Sequence, residues 1–226
     1  MALRFDASGD YVVTTSVPSG DSFTIAGWAK LVGWLAGASY LFQLRYDRKL
    51  YFVPAAYFGM YDGNGDTTLT TPTDNTWFYV AFSCDGTNLI TRWTYQTPVS
   101  WNTVTDSSIK SAPTPTDMRL SEGSGVHFNG LLAHIRIWTV ALSQAELEFE
   151  MCRGRPTRTT NLHLWSPFFS DTKDYSGNGR NWTEGGTLTY EDGPPVGWGA
   201  APYVYASPSV AGRVIGPGQI WPTVTL

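Results

Sequence analysis

The sequence has few charged residues, and this shortage limits what the protein can bind. Charged residues make up 15% of the 226 residues, and the formal net charge is -4. No group of Lys and Arg is long enough to follow a phosphate backbone, so nucleic acid is excluded from the expected partners. No apolar run approaches the roughly 20 residues that a membrane-spanning helix needs, so we expect no membrane insertion.

Cysteine is also scarce. The two cysteines, Cys84 and Cys152, show no C-x-x-C spacing and no companion histidine cluster. Metal and redox motifs built on cysteine are therefore not present in the sequence. We expect two buried free thiols, although a disulfide between them stays open if the fold brings them together.

Aromatic residues, in contrast, also reach 15% of the chain. Aromatic residues favour strands, and the shortage of Glu, Lys and Arg disfavours helical surfaces. Short alternating segments separated by turn residues follow one another in the first 61 residues, a spacing typical of a sandwich or barrel. These segments are LRF, YVVTTS, SFTIAGWAKLV, SYLFQLRY, KLYFV and AAYFGMY. We therefore predict an all-β domain.

The middle of the chain contains a predicted hairpin. Trp77–Cys84 alternates, the Asp85-Gly86 pair forms the turn, and Asn88–Tyr95 returns as the second strand. Gln96–Asp117 is polar and proline-containing, which favours a long surface connection. Asn161–Ser166 is predicted as a later strand.

The segment Val126–Cys152 changes its periodicity halfway along. In its first half, strict alternation places Phe128, Leu132 and Trp138 on one face and Leu131, Ile135 and Ile137 on the other. Both faces are apolar, so we predict an inner strand. In its second half, Ser143 with Glu146 forms a capping box, and Leu142 with Leu147 forms a hydrophobic staple. We therefore predict that this segment forms a strand followed by one short helix.

Residues 194–226 differ in character from the rest of the chain. They contain six prolines, five glycines and a single charged side chain, Arg213. We predict an extended arm that lies either on its own sandwich or on a neighbouring subunit, because its apolar side chains would not remain solvated. The residues that we expect to make this contact are Trp198, Tyr203, Tyr205, Ile215, Ile220 and Trp221.

Five segments resemble, in order, the laminin G-like jelly-roll branch of the concanavalin A-like lectin and glucanase superfamily. They are Leu3–Val13, Phe23–Lys30, Trp77–Trp93, Phe128–Glu148 and Leu162–Thr183. The resemblance implies a two-sheet antiparallel jelly-roll sandwich with one short helix over residues 1–193, followed by the C-terminal arm. Many relatives carry an acidic pair where this chain has Ala133-His134, so the resemblance implies no polar role for that pair.

The superfamily contains glycoside hydrolases, which need a pair of carboxylates across the scissile bond. Glu146, Glu148 and Glu150 are the only candidates, but the capping box places them on a helix. There, Glu146 and Glu150 would be solvated surface neighbours one turn apart. We therefore predict that the protein is not an enzyme.

The segment Asp62–Asp66 resembles the beginning of a calcium loop. Asp62, Asn64 and Asp66 offer oxygen ligands at alternate positions. Thr67 stands where such a loop needs glycine, and Thr73 stands where it needs glutamate. An ordinary turn is favoured over a calcium site, and no other cofactor is indicated.

Aromatic side chains on a jelly-roll surface can stack on sugar rings. Tyr57, Tyr61, Trp93 and Trp101 are our candidates for glycan binding. The alternative for each is packing in the core or at a sheet edge, since sandwiches are built from such residues.

The function that the sequence favours is that of a non-enzymatic structural or interaction protein on the surface of a large assembly, such as a phage or virus particle. Its partners would be subunits of the same or a larger assembly, docked through the arm. MALRFDASGDYVV lacks the features of a signal peptide, which supports this location over an extracellular one. The alternative is a lectin-like adhesion module that binds surface glycans, because a fold does not determine a function.

Deleting residues 194–226 tests the role of the arm. We expect the truncated domain to remain folded and soluble and to lose its partner, because the arm is an assembly device in this interpretation. Light scattering on the full and truncated chains measures any change in oligomeric mass. A truncated chain that unfolds would show instead that the arm belongs to its own core.

Overall fold

The computed structural model describes residues 1–6, 9–33, 39–44, 48–53, 57–63, 65–95, 100–107, 116–123 and 126–195. The strands are β1 (Ala2–Phe5), β2 (Tyr11–Thr14), β3 (Ser22–Leu31), β4 (Ser39–Leu44), β5 (Arg48–Val53), β6 (Tyr57–Tyr61), β7 (Asp66–Leu69), β8 (Trp77–Asp85), β9 (Leu89–Thr94), β10 (Asn102–Asp106), β11 (Met118–Leu120), β12 (Glu122–Gly123), β13 (Val126–His127), β14 (Gly130–Trp138), β15 (Leu162–Ser166), β16 (Thr183–Gly185) and β17 (Thr189–Glu191). The described residues contain one helix, α1 (Gln144–Met151), which follows β14.

Most of the strands form two antiparallel sheets that pack face to face, and β12 pairs with β13 in a separate two-stranded sheet. The first sheet has the order β10-β9-β8-β3-β14-β1-β17, with β15 also paired to β14. The second sheet has the order β16-β2-β11-β4-β5-β6-β7. Some strands that are consecutive in the sequence pair as hairpins, such as β8 with β9 and β4 with β5, whereas the pairs β3 with β14 and β1 with β14 join strands that are distant in the sequence. The prediction of an all-β sandwich with one short helix is confirmed.

The main core lies between the two sheets and is rich in phenylalanine. Phe23 and Phe82 of the first sheet make an edge contact with centroids 5.8 Å apart, and Phe52 and Phe58 of the second sheet stack at 4.4 Å. Phe52 also contacts Phe78 across the sandwich, at 6.4 Å. All five rings are fully buried, so this aromatic layer supplies much of the hydrophobic stabilisation.

The predicted hairpin is confirmed. β8 and β9 pair in register from Tyr79 with Thr94 to Cys84 with Leu89. Gly86 adopts a φ of 96°, which suits glycine, and the Asp85 carboxylate accepts hydrogen bonds from the next turn residues. Hydrogen bonds from Asn88 and Thr87 accordingly hold the pKa of Asp85 below its usual value.

The expected long connection over residues 96–117 is only partly correct. Asn102–Asp106 form an edge strand that pairs with β9, and Val104 packs against the core. The alternating Thr and Val residues of this strand fit a half-buried pleat, which outweighs the polar composition around it. Residues 96–99 and 108–115 lie outside the described part of the chain.

The strand β14 is an inner strand, as predicted, but its alternation is interrupted. Its pairing with β3 shifts register between Ala133 and Arg136. His134 lies in this interval with a φ of 53°, a conformation that is uncommon for a residue with a side chain. The interruption is a β-bulge, which adds one residue to one strand of a pair.

The bulge reverses which side chains face the core. Leu132 before the bulge and Ile135 and Ile137 after it all belong to the core between the sheets. Leu131 and Trp138 both face outward, toward the helix. The predicted grouping of Leu132 with Trp138, and of Leu131 with Ile135 and Ile137, is therefore wrong, because one extra residue shifts the period of 2.

The helix α1 covers the outer face of the first sheet. Its capping box is present: the Ser143 hydroxyl accepts a hydrogen bond from the Glu146 amide, and the Glu146 carboxylate accepts one from the Ser143 amide at 2.8 Å. Leu142 and Leu147, the predicted staple, are buried in one cluster with Trp28. The indole of Trp28 also donates to the Met151 carbonyl at 3.2 Å, so packing and hydrogen bonding both fix the helix.

A buried ion pair joins the helix to β14. Arg136 and Glu150 are each 1% exposed, and their charged groups approach to 3.3 Å. Glu150 also accepts hydrogen bonds from the backbone amides of Thr157 and Arg158, at 3.0 and 2.7 Å. The expectation that Glu150 is a solvated surface residue is wrong, because these donors compensate for the loss of water around its charge.

Both cysteines are free, as expected, but only Cys84 is buried, whereas Cys152 is half-buried. The contact residues predicted for the C-terminal arm, Trp198, Tyr203, Tyr205, Ile215, Ile220 and Trp221, lie outside the described residues. The arm and its boundary at residue 194 remain predictions. In the described part of the chain, no helix has both the length and the apolar character that crossing a membrane requires.

The bulge residue His134 predicts a loss of stability in acid. It is 3% exposed, and burial together with the nearby Arg136 charge lowers its pKa from 6.5 to about 3. Between pH 6.5 and 3, the unfolded chain binds a proton at His134 that the folded chain does not bind. The free energy of unfolding should therefore fall as the pH falls through this range, by up to about 3 kcal/mol at pH 4.

Urea denaturation at a series of pH values measures this effect. The control is His134→Asn, since asparagine tolerates the left-handed conformation and does not titrate. We expect the variant to lose this part of the pH dependence. A pH dependence equal to that of the wild type would contradict the assignment to His134.

Candidate functional site

The outer face of the second sheet carries a group of tyrosines. Within β5 and β6, residues alternate so that Leu50, Phe52, Phe58 and Met60 point into the core. The intervening residues point outward because strand side chains alternate between faces. We call Tyr40, Lys49, Tyr51, Tyr57 and Tyr61 the tyrosine face.

Strand pairing brings these residues together. Tyr40 of β4 is paired with Tyr51 of β5, and Lys49 of β5 is paired with Tyr61 of β6. Tyr57 lies diagonally opposite Tyr51, because Tyr51 is paired with Gly59. Directly opposed and diagonal side chains in antiparallel strands are within contact distance.

Tyr51 lies at the centre of the tyrosine face. Its ring centroid is 5.8 Å from that of Tyr40 and 6.1 Å from that of Tyr57, and the residue is 5% exposed. Its hydroxyl hydrogen-bonds to the side chains of Asp66 and Tyr57. Burial, followed by these hydrogen bonds, raises the pKa of Tyr51, so the hydroxyl stays protonated and acts as a donor to Asp66.

Lys49 connects two further rings. Its ammonium group is 5.0 Å from the ring centroid of Tyr40 and 5.6 Å from that of Tyr61. A cation at these distances is attracted to the negative faces of both rings. Lys49 therefore restrains Tyr40 and Tyr61, both of which remain partly exposed.

Gly59 provides the space over which two of the rings pack. A Cβ atom at Gly59 would lie 2.9 Å from Cε2 of Tyr57 and 3.2 Å from Cζ of Tyr51. The first distance is shorter than a normal carbon contact. The close approach of these rings to the backbone thus requires the absence of a side chain at Gly59.

The chemical capacity of the tyrosine face follows from its composition. Partly exposed phenol rings offer flat apolar surfaces, and their hydroxyls both donate and accept hydrogen bonds. The ammonium of Lys49 and the exposed carboxylate of Asp66 lie beside these rings. The arrangement suits a ligand that combines apolar surfaces with many hydroxyl groups.

The four predicted aromatic site residues divide into two groups. Tyr57 and Tyr61 lie together on the tyrosine face. Trp93 is 3% exposed and packs between the sheets against Phe78, at 6.1 Å. Trp101 lies at the other sheet, where its indole donates to Glu148 at 2.8 Å. Neither tryptophan adds to the tyrosine face.

Sequence reasoning did not identify Tyr40, Lys49 and Tyr51. Each occupies an alternate position in the segments SYLFQL and RKLYFV, so their outward orientation has a sequence signal. The position of these three residues beside Tyr57 and Tyr61 depends on the register of β4, β5 and β6, which alternation alone does not determine.

The segment Asp62–Asp66, the candidate calcium loop, places its carboxylates in separate hydrogen bonds. Asp62 is buried and accepts from the Gly65 amide at 3.1 Å, whereas Asp66 is bound to Tyr51. Asn64 lies outside the described residues. No group of three or more His, Cys, Asp or Glu side chains is placed to hold a metal ion in the described ranges. The preference for an ordinary turn over a calcium site at this loop remains a prediction.

The three helix carboxylates each have a different partner. Glu146 caps the helix and pairs with Arg158, and Glu148 accepts hydrogen bonds from Trp101 and Gln144. Glu150 is buried against Arg136. They therefore do not form the facing pair of carboxylates that glycoside hydrolysis needs.

Comparison with known proteins gives structural likeness without sequence likeness. No protein-family model matches the chain, and no curated protein matches its sequence. A candidate carbohydrate-binding protein from Bacteroides ovatus has a similar structure, with a TM-score of 0.62 and 18% identity. That match covers 85% of this chain and 60% of that chain.

Two further solved structures are similar. The heptameric SAP-like pentraxin of Limulus polyphemus has a TM-score of 0.56 and 8% identity, over 83% of this chain and 93% of that one. The enzymatically active domain of tailspike protein 2 from bacteriophage CBA120 has a TM-score of 0.58 and 10% identity, over 71% and 28%. At these identities the likeness shows the fold alone. The chain shares its overall fold with these proteins, in agreement with the two-sheet sandwich that the resemblance implied.

The hydrogen bond from Tyr51 to Asp66 predicts a measurable contribution to stability. Replacing Tyr51 by phenylalanine keeps the ring and removes a buried donor from a carboxylate. We expect Tyr51→Phe to lower the free energy of unfolding by about 1–2 kcal/mol. Urea denaturation measures this change.

Tyr175→Phe is the matched control. Its hydroxyl also donates to a carboxylate, that of Asp171 at 3.0 Å, but Tyr175 is 51% exposed. Water can replace that hydrogen bond, so we expect a change within about 0.5 kcal/mol. Equal effects of the two substitutions would contradict the buried role of Tyr51.

Proposed function

We propose that this protein is a non-catalytic binding module that recognises carbohydrate through the tyrosine face. The observation that carries the proposal is the grouping of Tyr40, Tyr57 and Tyr61, all partly exposed, around the buried Tyr51. Sugar rings present apolar C–H surfaces edged by hydroxyl groups. Aromatic rings with adjacent hydrogen-bonding groups match both features.

The positions of the rings support binding with little rearrangement. Tyr40 and Tyr61 are restrained by Lys49, and Tyr57 is restrained by Tyr51. Because these contacts exist without a ligand, binding needs to order few side chains. Preorganisation of this kind lowers the entropic cost of association.

The partners of the helix carboxylates support a non-catalytic role. The similar structures include an enzymatically active domain and a candidate carbohydrate-binding protein, so the fold itself does not separate the two classes. In this chain, Glu146, Glu148 and Glu150 each serve a structural contact. We therefore assign recognition of carbohydrate, without its cleavage, to this module.

A second candidate function is that of a subunit on the surface of a phage or virus particle. Its support is the likeness to a phage tailspike domain, together with the apolar, proline-rich composition of residues 194–226. In this proposal the arm contacts neighbouring subunits and the tyrosine face contacts surface glycans. The location would be the particle surface, with an extracellular location as the alternative.

Affinity gel electrophoresis tests carbohydrate recognition. The protein would be run through native gels that contain xylan, mixed-linkage β-glucan, galactomannan, polygalacturonic acid or hyaluronan. We expect the wild type to be retarded in at least one gel. Tyr57→Ala and Tyr61→Ala should each weaken the apparent affinity about tenfold, because each removes one stacking ring.

Tyr175→Ala is the control, since Tyr175 is an exposed tyrosine outside the tyrosine face. We expect it to be retarded like the wild type. Unretarded migration of the wild type in all five gels would contradict the proposal. Equal retardation of all the variants would show that a different surface binds the polysaccharide.

A further inference from the structure

Two of the three partly exposed rings of the tyrosine face lie on different strands of the second sheet. Tyr40 is on β4 and Tyr57 is on β6, and the buried Tyr51 of β5 separates them. The ring centroid of Tyr51 is 5.8 Å from that of Tyr40 and 6.1 Å from that of Tyr57. The row of three rings therefore runs across the strands.

This spacing determines how much of a ligand can contact the row. A pyranose ring is similar in breadth to a phenol ring, so one sugar unit covers one tyrosine. A single sugar unit stacked on Tyr40 leaves Tyr57 uncovered, because the ring of Tyr51 lies between them. Simultaneous contact with both exposed rings requires several linked units.

We propose that the tyrosine face binds an internal segment of a linear glycan that lies across β4, β5 and β6. Tyr40 and Tyr57 form two separate stacking subsites. Tyr51 is a positioning residue that holds the two subsites in a fixed relation. This inference rests on the proposed function and adds the class of ligand, a chain of several sugar units, and the direction in which it lies.

The contacts of Tyr51 support its positioning role. The residue is 5% exposed, so it offers little surface to a ligand. Its hydroxyl is held by Asp66 of β7 and Tyr57 of β6, and its ring contacts Tyr40 of β4. The Tyr51 side chain of β5 thus contacts residues of β4, β6 and β7.

Gly59 adds a constraint on the same arrangement. The ring of Tyr57 packs over the Gly59 backbone, at a distance that a Cβ atom would make too short. Tyr57 is therefore confined between Tyr51 and the surface of its own strand. Two subsites held in a fixed relation favour a ligand with a regular repeat, because both contacts form without distortion of either partner.

Isothermal titration calorimetry with oligosaccharides of one to six units tests this inference. The oligosaccharides come from whichever of the five polysaccharides retards the wild type most. We expect the affinity of the wild type to rise at least about tenfold between one unit and four units, and then to level off. Equal affinity for one unit and six units would overturn the inference.

The variants separate the two subsites. Tyr40→Ala and Tyr57→Ala should each weaken binding of the six-unit chain about tenfold and remove most of the gain with chain length. A loss for only one of these variants would overturn the assignment of two subsites.

Tyr51→Phe tests the positioning role while it preserves the packed ring. We expect a weaker six-unit complex and an unchanged one-unit complex, since only a long ligand depends on the relation between subsites. An equal loss for both ligands, or no loss for either, would overturn the role of Tyr51.

If no polysaccharide retards the wild type, the proposed function and this inference both fail. Binding that is independent of chain length overturns this inference alone.

Discussion

The β-bulge at His134 determines how the two faces of the first sheet are used. One extra residue places Ile135 and Ile137 in the core and turns Arg136 and Trp138 outward. An arginine that is 1% exposed needs a partner, and Glu150 of the helix supplies it. The helix is consequently fixed over the outer face of the first sheet.

The tyrosine face depends on simple alternation combined with one glycine. The same strands that supply Phe52 and Phe58 to the core present Tyr51 and Tyr57 on their other side. Gly59 allows the two tyrosine rings to pack close to the backbone. The alternation of side chains along β5 and β6 therefore places the core phenylalanines and the outward-facing tyrosines at the same time.

Much of the fold could be predicted from local patterns, and the site only in part. The hairpin turn at Asp85-Gly86 and the cap at Ser143 depend on neighbouring residues, so the sequence shows them. The bulge has no such signal. Its residue with a positive φ is His134, whereas a positive φ is usually marked in a sequence by glycine. The burial of Glu150 depends on partners that are distant in the sequence. The placement of Tyr40 and Tyr57 on either side of Tyr51 depends on the register of three strands, which no local pattern specifies.

The most direct test of carbohydrate recognition by the tyrosine face is an NMR titration of protein whose tyrosine rings are labelled with carbon-13. The chain has 12 tyrosines, so the ring signals can be assigned one by one by substitution. A six-unit oligosaccharide should shift the signals of Tyr40, Tyr57 and Tyr61 and leave that of Tyr175 unchanged. Shifts confined to tyrosines outside the tyrosine face would contradict the account, because the ligand would then occupy a different surface.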